Sequence, residues 1–221
     1  LDFPASYSDP KALYSALRGV GMDFVTITDQ NTIDGCLEIA HLPGVILGEE
    51  VSTHFPDDEC RIHVLTWGIT ESQHRTIQEA RKNIFDLREY LFTENIAHSV
   101  AHPFHSVNGK LTALHLQKLI LLFRHFEGLN GRYCQLLSQT AQQLLGGLTP
   151  RDIEIFSTRT GIAPTHEEAW KKSFTGGSDD HGGTHPGSAY TETSSSKNAE
   201  EFLQNIREGR CTAGGKAGTP P

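Results

Sequence analysis

Short apolar, β-branched runs alternate along the chain with stretches whose apolar positions recur every three or four residues. Residues 23–28, Asp-Phe-Val-Thr-Ile-Thr, read as a strand, as do residues 45–53, 61–67 and 96–101. Ahead of the first strand, Asp9 as N-cap and Pro10 at the first helical position open a helix through Leu13, Leu17 and Val20. Ile77, Ala80, Ile84, Leu87 and Leu91 advance in alternating steps of three and four, which predicts one long helix. A helix over 112–123, a short strand over 126–129 and helical segments across 133–172 follow. Ser173-Phe-Thr-Gly-Gly177 reads as a strand end, 188–193 as a further strand, and 198–207 as a closing helix. Thr193-Ser-Ser-Ser-Lys197 is compositionally biased and reads as a surface loop.

Strand–helix alternation over this length implies an α/β protein with a largely parallel sheet or barrel, and residues 1–221 are expected to form one domain. The chain opens on Leu1, holds a single Met at Met22 and stops abruptly after Gly214-Gly-Lys-Ala-Gly-Thr-Pro-Pro221, so further sequence is expected beyond both ends.

Net charge is −8 and the pI about 5.8, which argues against a general nucleic-acid or anionic-membrane binder. The longest strongly apolar run, Leu119-Ile-Leu-Leu-Phe123, is too short to span a bilayer, and no signal peptide is visible. Cys36, Cys60, Cys134 and Cys211 form no Cys-x-x-Cys pair and read as reduced thiols of a cytoplasmic protein.

Candidate chemistry clusters at strand ends, where parallel α/β folds place catalytic groups. The first strand ends Thr28-Asp-Gln-Asn31, the second carries Glu49-Glu50, the third holds His63, the fourth runs His98-Ser-Val-Ala-His102, and Gly177-Ser-Asp-Asp-His181 follows a further strand. Alternation along an extended chain puts Asp179 and His181 on one face, and likewise His98 and His102, while it separates Glu50 from Glu49. Any one of these has an ordinary reading: a hydrogen-bonded core histidine, a salt-bridged glutamate, a strand end before Pro103. Jointly they cost too much to bury unpaired, and a Zn, Mn or Fe ion is the economical partner for such a donor set.

These segments resemble the PHP (polymerase and histidinol phosphatase) superfamily. The matching motifs are Ile27-Thr-Asp-Gln-Asn-Thr32, Gly48-Glu-Glu-Val-Ser52, Ile62-His-Val-Leu65, Ala101-His-Pro103 and Gly177-Ser-Asp-Asp-His181, in that order. Gly21-Met-Asp-Phe-Val-Thr-Ile-Thr-Asp29 looks closest to PHP modules that accompany bacterial glycosyltransferases. The resemblance implies a distorted (β/α)7 TIM-like barrel, here without its first strand, and a phosphoesterase that works through a metal-activated water. It puts Glu50, His63, His102, Asp179 and His181 at metal-ligand positions and leaves Asp29 to orient a ligand or move a proton. The family's His-x-His pair has no counterpart: only Asp2 and Pro4 can be laid over it. Gln30 stands where the family has a ligand His, so at most one well-occupied divalent metal, held by Glu50, His63 and His102, is expected.

Hydrolysis of a phosphorylated small molecule is therefore the leading expectation, with Lys110 or Arg132 as phosphate contacts. A degenerate binding or scaffolding module beside a glycosyltransferase, and a metal-dependent amidohydrolase, are the alternatives.

Overall fold

The computed structural model describes residues 8–218. Asp2 and Pro4, the positions laid over the His-x-His pair, lie outside them, as does the end of the Gly-rich tail.

Helix α1 (Pro10–Gly19) begins where the Asp9 carboxylate accepts from the N–H groups of Lys11 and Ala12, with Pro10 in the first turn. Residues 25–30 are extended but build no ladder. They touch the following segment through two isolated parallel bridges, Val25 to Val45 and Gln30 to Glu50. Short helix α2 (Asp34–Leu37) leads into β1 (Gly48–His54) and β2 (Arg61–Trp67).

The expected long helix is two: α3 (Glu71–Ala80) and α4 (Ile84–Thr93). Asn83 breaks it by accepting from Phe85 N–H as the N-cap of α4. The apolar periodicity runs straight through because both helices turn the same stripe to the core, where Ile77, Ile84, Leu87 and Leu91 are fully buried. Each contributes roughly 1.5–3 kcal/mol by leaving water. Then come β3 (Ala97–Val100), α5 (Ala113–Leu122), β4 (His125–Asn130), α6 (Gln135–Gly146), α7 (Pro150–Thr160) and β5 (Ser173–Gly177). Lys172 donates to the carbonyls of Ile120 and Phe123, tying the end of α5 to the start of β5. The chain closes with β6 (Ala189–Thr193), α8 (Ala199–Arg207) and β7 (Cys211–Gly215).

Strands β1 to β5 form one sheet in sequence order, and β6 and β7 form a second, antiparallel pair. The expected largely parallel arrangement is only half present: β2 runs antiparallel to both β1 and β3, whereas β3, β4 and β5 are parallel. Neither sheet closes among the described residues, which form an open mixed α/β arrangement and show no closed barrel. The second sheet sits against β5, where Gly176 N–H donates to the Thr191 hydroxyl oxygen (3.0 Å) and that hydroxyl donates back to Gly176 O (3.0 Å).

The reversed strand has a consequence for position. Since β2 runs backwards, His63 near its start pairs with Ser52 and its carbonyl accepts from Ala101 N–H, so it lies level with the carboxyl end of β3. Groups from strands of opposite direction thus meet at one rim.

Candidate metal centre

Glu50 faces inward from β1, and its neighbour Glu49 faces the helices. There Glu49 is fully buried, within 2.9 Å of His74 Nδ1, and accepts from Gln78 Nε2 (2.8 Å). Neither carboxylate is a solvated surface group. The turn after residues 25–30 is pinned beside Glu50: Asn31 N–H donates to Glu50 O (2.8 Å), and the Asn31 side chain accepts from Ser52 N–H (2.8 Å). Asn31 adopts φ 58°, which Asn tolerates better than most residues.

His63 Nδ1 lies 2.9 Å from Glu50 Oε1, and His102 Nε2 lies 3.8 Å from Glu50 Oε2. The two imidazole rings are 5.1 Å apart at 71°. One donor atom from each of Glu50, His63 and His102 falls within 4.8 Å of the others. His63 Nδ1 is buried and outside hydrogen-bonding geometry with any neighbour. Its other nitrogen, Nε2, is 2.9 Å from the Gln30 side-chain amide. A buried imidazole nitrogen 2.9 Å from a carboxylate oxygen and flanked by a second imidazole is a donor set in which a divalent cation can take the place of a proton. Zn, Mn or Fe suits this donor set.

Electrostatics agree. Burial pushes the Glu50 carboxyl up, but the imidazoles of His102 and His63 outweigh it and hold the group down at about 2. Burial lowers His102, yet Glu50, Glu127 and Asp179 prevail and raise it.

The other expected ligands stand apart. β5 ends at Gly177, and Asp179 turns into the left-handed region at φ 47°. The strand therefore does not persist, and the shared face expected for Asp179 and His181 is not set by alternation. Asp179 Oδ1 lies 3.4 Å from His181 Nδ1, but His181 is half exposed, with Arg132 Nη1 3.2 Å from its Nε2. His98 does not share a face with His102 either. His98 lies within 2.7 Å of Ile96 O and packs on Phe123, while His102 leaves the strand with φ 29°. Lys110 is remote: it donates to Asp58 O (2.7 Å) on the β1–β2 connection and lines no part of the site. Asp29 lines the cavity at the site, and burial raises its carboxyl.

Four residues of the site escape the sequence reading. Glu127 on β4 is buried, and its carboxylate accepts from His102 N–H (2.7 Å) and from Asn130 Nδ2 (2.9 Å). Burial pushes Glu127 up to about 7, against the pull of Asn130 and His102. Tyr133 stacks on His105 at 4.7 Å, and both rings meet His102 edge-on. The signal for Glu127 was present: an acidic residue inside the apolar run Phe126-Glu-Gly-Leu129 must be partnered if that run is a buried strand. The site opens into a cavity of about 270 Å3 whose polar end carries Gln30, Glu50, His102, Glu127 and Asp179 and whose far end is lined by Phe24, Trp67 and Phe202.

Residues 167–211, spanning β5, the Asp179–His181 turn, β6 and α8, match the family model described as PHP-associated. No curated protein matches the chain in sequence. Among solved structures, the chain is similar to a two-domain protein of Bacteroides vulgatus ATCC 8482 containing a predicted PHP-like metal-dependent phosphoesterase. The TM-score is 0.58 at 13% identity, and the match covers 96% of this chain and 62% of that one. The fold is PHP-like. A proposed metal-dependent phosphoesterase of Bifidobacterium adolescentis ATCC 15703 has a TM-score of 0.50 at 14% identity, with 92% of each chain covered. The chain spans less than two thirds of the Bacteroides protein.

Proposed function

We propose that this chain is a metal-dependent hydrolase of the PHP type acting on phosphate esters, with one divalent ion held by Glu50, His63 and His102. The observation that carries this reading is the convergence of one donor atom each from Glu50, His63 and His102 within 4.8 Å of one another, with His63 buried. Bound there, such an ion would lower the pKa of a water molecule towards neutrality and offset phosphate charge.

The chain's own residues supply the rest. Arg132 is half exposed at the mouth beside His181 and Asp179, where its guanidinium can take a phosphate oxygen in a planar fork. Asp29, raised by burial, lines the same cavity and suits proton transfer. Tyr133, whose hydroxyl burial and Asp179 push up to about 12, stays protonated and can donate to a substrate oxygen. Lys110 has no part in this proposal.

The test is metal content and turnover of 4-nitrophenyl phosphate by purified protein supplied with Mn2+ or Zn2+. Turnover that vanishes in Glu50→Gln together with the metal supports the reading. Metal-loaded wild type without turnover of this or any phosphate ester would favour a binding module instead.

A further inference from the structure

The loops that carry His102 and Asp179 both leave regular backbone, at φ 29° and φ 47°. For a non-glycine residue such a conformation is strained and persists only when neighbours impose it. One buried side chain reaches both. Asn130, at the end of β4, is 4% exposed. Its Nδ2 donates to Glu127 Oε2 (2.9 Å) and to Asp179 Oδ2 (3.1 Å). The same Glu127 oxygen accepts the His102 N–H at 2.7 Å. The opposite end of the amide is equally engaged, because Asn130 Oδ1 accepts from Arg132 N–H (2.8 Å) and Tyr133 N–H (3.2 Å).

Both halves of the amide are thus spent on the site. The donor half ties the His102 and Asp179 loops together, one of them through Glu127, and the acceptor half shapes the turn that presents Arg132 and Tyr133. The two strands also fix the hub itself: Asn130 pairs in register with Gly177, and Gly131 N–H donates to Gly177 O (2.9 Å). Space is matched as well, since a Cβ on Gly177 would lie 3.0 Å from Glu127 Oε1.

We infer that Asn130 is a positioning residue that, through Glu127, holds the His102 imidazole in the arrangement that serves a divalent ion and keeps the Asp179 carboxylate beside it. The inference rests on the metal site proposed above. Buried amides that orient ligands in this way typically govern metal affinity by about 10–100-fold.

Titration of the metal-free full chain with Co2+, read by chelator competition and by the visible absorption band, tests it. Asn130→Asp keeps the acceptor for the Arg132 and Tyr133 amides and replaces the N–H donors by a carboxylate oxygen that repels Glu127 and Asp179. It is expected to weaken Co2+ binding by about 10–100-fold and to change the band. Asn130→Ala should do the same, and if it does not fold, Asn130→Asp carries the test. Glu127→Gln, which retains an acceptor for His102 N–H, should bind Co2+ far better than Glu127→Leu. Wild-type binding with unchanged affinity and band in Asn130→Asp would overturn the positioning role and leave the metal site standing. Wild type that binds no Co2+ would overturn both.

Discussion

At the scale of single residues, the account turns on which nitrogen of His63 is free. Gln30, expected from the resemblance to stand at a ligand position, meets the far nitrogen of His63, at 2.9 Å. It is the Gln30 amide nitrogen that faces His63 Nε2 and donates to it, so a metal at His63 Nδ1 requires the amide to turn and accept the Nε2 proton through its oxygen. The residue is then a partner of a ligand and not a lost ligand. Gln30→Ala is expected to weaken metal binding by about 10–100-fold, whereas Gln30→Glu retains it, because a carboxylate accepts the same proton. Calorimetric titration of the three proteins checks the order. A second prediction concerns pH. His102 is raised above its ordinary value, so a proton must leave before its nitrogen can bind a metal. Apparent affinity should therefore climb with pH, by about tenfold per unit while His102 is protonated, and flatten above its raised pKa. Glu50, held at about 2, adds no step in this window.

The residues of this site were legible to different degrees. Glu50, His63 and His102 stand in short motifs whose donor types announce a cation. Asn130 carries no such mark: an Asn after a strand is ordinarily a turn residue, and only the register of β4 against β5 brings it to Asp179. Asp179 and His181 show the converse. Their spacing is right for one face of a strand, but the strand stops two residues early.

At the scale of elements, capping explains what the periodicity could not. Asp9-Pro10 is a strong helix start and α1 begins there, whereas Asn83 splits an uninterrupted apolar stripe into α3 and α4. Asn83→Ala should cost about 1 kcal/mol in denaturant unfolding. Residues 25–30 read as a strand from their β-branched content, yet strand assignment needs a partner, and theirs is met only at two bridges. β7 left no trace in the sequence because Cys211-Thr-Ala-Gly-Gly215 lacks alternation, and it exists by pairing with β6. The helix–sheet contact behind Glu50 gives a further prediction. Glu49 is wholly buried between β1 and α3, so Glu49→Ala strips His74 and Gln78 of their acceptor. A loss of about 2–3 kcal/mol is expected, measured by urea unfolding of the metal-free protein.

At the scale of the whole molecule, two sheets must stay together for the polar rim to form. They approach closely at Gly176, where a Cβ would lie 2.4 Å from Tyr190 O. Gly176→Ala should force β5 and β6 apart and destabilise the fold by more than about 2 kcal/mol, read as a lowered denaturant midpoint. The α/β class follows from alternation of strand and helix signals, but the reversal of β2 does not, because parallel and antiparallel neighbours share the same side-chain period. That reversal brings His63 level with His102. No helix among the described residues is long and apolar enough to cross a membrane. The most direct test of the central claim is an anomalous-scattering map from crystals grown with Zn2+. The account predicts its strongest peak about 2.0–2.2 Å from a carboxylate oxygen of Glu50 and from one nitrogen each of His63 and His102. A strongest peak elsewhere, or none in saturating metal, would contradict it.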